Sequence, residues 1–193
     1  GEDIVVFEPH YDAYGALALG AAWDGARGLR VHQDALAGER AIVANAARLG
    51  LDDRLTVHPE LDPDAVRGAR VVLLRLPRSL EALRDVAGQI AAHAAPDVVV
   101  YAGGRIKHMS VAMNAVLGEF FARVDVTHAR QKSRVLIARD PHDGADPMPA
   151  SAYVHGLELR AYGGTFGGVR LDAGTRLLLA HLPTDLPGGG ECD

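Results

Sequence analysis

Three observations predict an α/β fold in which a mostly parallel sheet is flanked by helices and ends in an antiparallel hairpin. Short continuous apolar runs, Ile4-Val5-Val6-Phe7, Val71-Val72-Leu73-Leu74 and Val98-Val99-Val100-Tyr101, are rich in β-branched residues and do not alternate with polar ones, as befits strands covered on both faces. The segments between such runs carry apolar residues at helical spacing, so strand and helix take turns along the chain, the pattern of a doubly wound parallel sheet. Late in the chain two strand-like runs then follow each other across a short polar turn, which only antiparallel neighbours can do.

In chain order, the first run feeds the turn EPHYDAYG and a helix that Asp12 is placed to cap, with Ala13, Leu17 and Ala21 on one face. Gly28-Leu29-Arg30-Val31-His32 makes a second strand. An Ala-rich helix over residues 35–49 follows, with Ile42, Ala46 and Leu49 on one face and Gly50 as its stop. Arg54-Leu55-Thr56-Val57-His58 is a third strand, and Pro59, Pro63 and Gly68 punctuate the loop after it. The run at residue 71 is the fourth strand. Ser79 caps a helix carrying Leu80, Leu83, Val86, Ala87 and Ile90, closed by His93 and Pro96. The run at residue 98 is the fifth strand; Gly103-Gly104 then reads as a tight turn, ahead of a helix over residues 110–121. Arg123-Val124-Asp125-Val126-Thr127 and Ser133-Arg134-Val135-Leu136-Ile137 form the hairpin. The stretch DPHDGADPMP, residues 140–149, has no periodicity and reads as a linker. Beyond it lie a strand over residues 154–159, the glycine-rich loop YGGTFGGVR, and a helix capped by Asp172 with Leu177, Leu178 and Leu179.

Composition narrows the function. The chain has 193 residues, enough for one ordinary domain with a short appendage, and a formal net charge of −5, which argues against a dedicated nucleic-acid binder. Its single cysteine, Cys192, excludes an internal disulfide and a cysteine metal site. His10, His32, His58, His93 and His108 are scattered without metal-ligand spacing, so no metal is expected. No apolar run approaches the roughly 20 residues that span a bilayer, and no signal segment opens the chain; a cytoplasmic location without membrane contact is the expectation. Gly1 is not an initiator Met, and the chain stops at Glu191-Cys192-Asp193 just after three glycines, so the chain reads as a piece of something longer.

Five parallel strands, intervening helices and a terminal hairpin are also the element order of the Rossmann-like class I S-adenosylmethionine-dependent methyltransferases. Such a site needs a glycine-rich turn after the first strand and an acid at the end of the second, for the reasons that govern dinucleotide folds. Enzymes of this class that methylate a base amine end the fourth strand in Asn-Pro-Pro-aromatic. Here the first turn holds Tyr11, Asp12 and Tyr14 with the single glycine Gly15, the ribose-binding acid falls on Gln33 with Asp34 one residue late, and Leu76 stands where the orienting amide belongs. These six positions, Tyr11, Asp12, Tyr14, Gly15, Gln33 and Leu76, read as a degenerate cofactor site, with the two tyrosines closing it.

The runs DAYGALALG, RLPRSLEAL, AGGRIKH and KSRVLIARD, and above all the tail FGGVRLDAGTRLLLAHLP, resemble the N-terminal half of the bacterial rRNA guanine-N2 methyltransferases of the two-domain "methyltransferase small" family. The resemblance implies a degenerate methyltransferase-like domain over residues 1–140. Residues 141–193 would then be a linker and lead-in to a C-terminal catalytic domain opening at about Glu191-Cys192-Asp193. It implies no catalytic residues and no cofactor in this chain, S-adenosylmethionine in the C-terminal domain, and as partners ribosomal RNA and that domain. Arg75, Arg78, Arg105 and Lys107, near the ends of two strands, are the RNA-binding candidates. Arg123, Arg130, Lys132 and Arg134 on the hairpin have solvated, edge-protecting charge as the plainer reading. The competing readings are a self-sufficient small-molecule methyltransferase with a non-standard pocket at residues 8–15, and a structural nucleotide-binding α/β domain.

Overall fold

The computed structural model describes residues 3–8, 14–144, 149–163, 165 and 167–182. The chain divides into two compact units, residues 1–148 and 149–193.

The first unit is a seven-stranded sheet between helices. Strands β1 (Ile4–Phe7), β2 (Leu29–His32), β3 (Leu55–His58), β4 (Val71–Arg75) and β5 (Val99–Arg105) run parallel. The last two, β6 (Phe121–Val126) and β7 (Ser133–Pro141), form an antiparallel hairpin. The spatial order is β3-β2-β1-β4-β5-β7-β6, with β7 antiparallel to β5. The non-alternating apolar runs become the central strands, because helices cover both their faces. Val5 and Phe7 join Val72, Leu74, Val100 and Ala102 in a core shared with α4 (Leu80–His93) and α5 (Val111–Phe120). On the other face Val6 and Val31 pack against α1 (Ala16–Trp23) and α2 (Leu36–Leu49) through Ala18, Leu19, Ile42 and Ala46. The fold expected from the sequence, a mostly parallel sheet with a terminal antiparallel hairpin, is the one observed.

The structure corrects several local expectations. Asp12 lies outside the described residues, and α1 begins only after Gly15, whose φ of +94° suits glycine and whose Cβ would come 2.9 Å from Ile42 Cγ1. The later start rotates the helix, so Ala18, Leu19 and Ala22 are buried and Leu17 is 36% exposed. At the end of α2, Leu51 rather than Leu49 enters the core: Gly50 turns left-handed, its N–H bonds the Ala47 carbonyl and that of Leu51 bonds Ala46, a Schellman motif that carries Leu51 inward. The loop with Pro63 contains a one-turn helix, α3 (Pro63–Val66), capped by the Asp62 carboxylate at 2.9 Å from Ala65 N, with Pro at its start. Gly103 and Gly104 are not a turn. They extend β5 and pair with Val135 and Arg134 of β7.

The second unit holds β8 (Ala150–Val154) and β9 (Leu157–Ala161), an antiparallel hairpin where the sequence suggested one strand. The turn is His155-Gly156, both at positive φ, the geometry that joins two-residue hairpins. Helix α6 (Ala173–His181) starts where expected, with Asp172 Oδ1 accepting from Gly174 N and Thr175 N. No helix of the described residues is long and apolar enough to cross a membrane.

Candidate functional site

Parallel α/β sheets bind ligands at the strand C-termini, where the order reverses; here that point lies between β1 and β4, with β2 on the other side of β1. Glu8, immediately after β1, is 2% exposed and turns its carboxylate onto the start of α1. Oε2 accepts from Gly15 N at 2.8 Å and Oε1 from Ala18 N at 2.7 Å. These N–H groups are among the unpaired donors with which a helix N-terminus attracts an anion; the protein's own carboxylate has taken them.

Gln33, the position expected to face a ribose, is 1% exposed and likewise engaged inside the protein. Its Nε2 donates to the Glu8 carbonyl at 2.8 Å and its Oε1 accepts from Ala35 N at 3.0 Å. Gly38 on α2 makes room for it, since a Cβ there would lie 2.6 Å from Gln33 Cδ. Tyr14 is 53% exposed, and its carbonyl accepts from Asn45 Nδ2 at 3.3 Å. Tyr14 thus leaves about half its surface to solvent, whereas Glu8 and Gln33 are packed inside. Tyr11 and Asp12 lie outside the described residues.

Beside them the described residues bound a small cavity of about 80 Å³, lined by Phe7, Glu8, His32, Asp34, Leu74 and Arg75 among others. His32 stands edge-on to Phe7, with ring centroids 5.6 Å apart, and Nδ1 lies 3.0 Å from the His58 carbonyl. Burial pushes its imidazole below the usual histidine range. Among the described residues, the α1 N–H groups and the Gln33 amide that would face a methyl-donor cofactor already have protein partners, and Asp34 is the other acid that faces the cavity.

One strand over, the ends of β4 and β5 form a different kind of place. Arg75 and Arg105 close the two strands, and the Leu76 N–H donates to the Gly103 carbonyl at 2.9 Å, holding the chain after β4 against β5. Between them opens a pocket of about 270 Å³ lined by Arg75, Leu76, Arg78, Gly104, Arg105, His108 and Met109. Three of the four cationic candidates thus share one concavity, while Lys107 sits nearby on the single turn Ile106–His108 and does not line it. Leu76 serves as apolar packing, 8% exposed and part of the α4/α5 core.

The hairpin cations are arranged differently. Asp125 on β6 accepts from Arg139 Nη1 at 2.6 Å and lies 2.9 Å from Arg123 Nε; the hydrogen bond from Arg123, then that from Arg139, holds its carboxyl below the usual range. Arg123 therefore belongs to an ion-paired sheet edge. Among the described residues no group of three or more His, Cys, Asp or Glu is placed to hold a metal ion. Sequence reading named residue 8 only as the start of the competing pocket over residues 8–15, and gave His108 and Met109 no place in a site. An acid directly after a buried strand and before a helix start was a usable signal for Glu8; only the fold brings His108 and Met109 to Arg75.

A family model described as the RLMG N-terminal domain matches residues 2–142. Among curated proteins, the Ribosomal RNA large subunit methyltransferase G of Pseudomonas fluorescens is 32% identical over 91% of this chain and 47% of that protein. The protein of the same name from Streptomyces griseus is 30% identical over 90% and 47%. The chain spans about half the length of these relatives. Among solved structures, a T. thermophilus 16S rRNA N2 methyltransferase in complex with AdoMet and guanosine superposes with a TM-score of 0.62 at 18% identity, over 92% of this chain and 47% of that one. The ribosomal protein L11 methylase of Lactobacillus delbrueckii gives 0.55 at 21%, over 71% and 70%. At these identities the structures share the fold.

Proposed function

The chain belongs to the RLMG N-terminal domain family, and on that premise we propose that it is the non-catalytic N-terminal domain of an S-adenosylmethionine-dependent rRNA (guanine-N2) methyltransferase. In this reading it holds ribosomal RNA and supports a catalytic domain that carries the methyl donor. The curated relatives are named as ribosomal RNA methyltransferases, and this chain matches about half of each. Residues 1–140 are the degenerate methyltransferase-like domain and residues 141–193 the lead-in to the catalytic one.

The observation that carries the reading is the state of the β1 and β2 ends. The Gly15 and Ala18 N–H groups, which a helix N-terminus would offer to a ligand, are bonded to the buried Glu8 carboxylate, and the buried Gln33 amide is bonded to backbone groups of this chain. The RNA part of the reading rests on Arg75, Arg78, Arg105 and Lys107, which gather positive charge at strand ends on a chain of net charge −5. Reversing these four charges to Glu in the full-length methyltransferase is expected to weaken rRNA binding. The salt dependence should also flatten, by about 0.7 in log–log slope for each phosphate of single-stranded RNA that is no longer neutralised. The check is a filter-binding or anisotropy series across ionic strength. Unchanged affinity and slope would return these residues to ordinary surface charge.

A further inference from the structure

We infer that the pocket between the C-terminal ends of β4 and β5 takes one unpaired RNA nucleotide, with its phosphate on Arg78 and Arg105 and its base against the guanidinium and imidazole planes. The inference deepens the RNA-holding role proposed above and rests on it. Four features point to this ligand.

The first is charge. The described lining contributes three guanidinium groups and an imidazole and no carboxylate, although acids outnumber bases in the chain, 25 to 20. Such a cluster selects an anion, and guanidinium forks suit phosphate oxygens. The second is the floor. Leu76 is 8% exposed and Met109 lies beside it, while Gly104 contributes no side chain: a Cβ there would approach Met109 Cγ to 3.3 Å and Leu76 Cδ1 to 3.4 Å. A purely hydrated ion has no use for an apolar floor, but a flat heterocycle does.

The third is size. About 270 Å³ lies near the lower end of small-ligand pockets, on the order of 300 Å³, which is room for one nucleotide and not for the paired edge of a helix. The fourth is geometry. A duplex presents its phosphates as a convex ridge and keeps its bases stacked, whereas unpaired bases of loops and bulges can be splayed out and stacked on Arg or His planes. A concave site with cations at the rim and apolar atoms beneath therefore discriminates for unpaired RNA.

The test compares two fluorescently labelled RNAs of equal length on the 193-residue chain, one a hairpin with an unpaired loop, the other fully paired. In the R78A/R105A double variant the hairpin should bind roughly tenfold more weakly or worse, while the paired RNA changes less than about twofold. Both residues are exposed, and an unchanged thermal transition checks that the variant folds. The R78K/R105K variant keeps the charge and loses the planar forks, so it should leave the salt slope near the parent value without restoring the preference for the hairpin. Equal losses on both RNAs, or full rescue by lysine, would overturn the pocket and leave general RNA holding intact. Failure of the unmodified chain to bind either RNA would overturn the RNA reading itself, and the pocket with it. Competition by a free nucleoside monophosphate as strong as that by the hairpin would identify a small-molecule site instead, and would also overturn the inference.

Discussion

Both carboxylate oxygens of Glu8 accept backbone N–H groups from the start of α1, at 2.8 and 2.7 Å, while its own carbonyl receives the Gln33 amide. One buried side chain thereby fixes where α1 begins, and with it which residues of that helix face the core. Burying a carboxylate is costly unless its lone pairs are satisfied; two backbone donors and a helix N-terminus do that. Glu8→Gln keeps the size but turns an NH₂ toward a backbone N–H, so two donors face each other. The expected loss of stability is about 1–3 kcal/mol, read as a lower urea midpoint at unchanged slope. An unchanged midpoint would mean that Glu8 does not organise the turn.

Among the elements, α4 and α5 are tied across their outer faces by Arg84 and Glu119, whose two hydrogen bonds are each 2.8 Å. The hydrogen bond from Arg84 is the main reason the Glu119 carboxyl sits below the usual glutamate range. With nearly half of each side chain in solvent, the pair is worth less than about 1 kcal/mol. Because the folded pKa is depressed, the stabilisation is present above the unfolded value of about 4.3 and disappears as pH falls through the folded one. Glu119→Gln should therefore lower the melting temperature slightly at pH 7, with the difference vanishing in strong acid; a difference that grew with acidity would contradict the assignment. Elements with chemical punctuation were legible in the sequence: Ser79 and Asp172 cap as their side chains dictate, and Gly50 stops α2. Those set by tertiary contact were not. The register of α1 depends on Glu8 reaching forward from β1, and the extended Gly103-Gly104 depends on β7 arriving from some thirty residues later. The small helix α3 and the His155-Gly156 turn did carry local signals, Asp before Pro and a turn glycine, that were short enough to pass for loop.

At the scale of the molecule, the two neighbouring strand-end sites differ in kind. At β1 and β2, polar groups are turned inward and hydrogen-bonded to the chain itself; at β4 and β5, cations rim an open pocket. The family and the fold were readable from the sequence because residues 2–142, which hold the apolar runs and the hairpin, carry them. The pocket was readable only in part, since Arg75, Arg78 and Arg105 are strand-end residues but His108 and Met109 join them through folding alone. In the role proposed for it, the chain keeps the scaffold of a methyl-donor fold while the donor is held by the catalytic domain. Isothermal titration of the 193-residue chain with S-adenosylmethionine tests it most directly. No saturable heat is expected; binding in the micromolar range, abolished by Asp34→Ala, would contradict the claim and assign the ribose contact to the residue after Gln33.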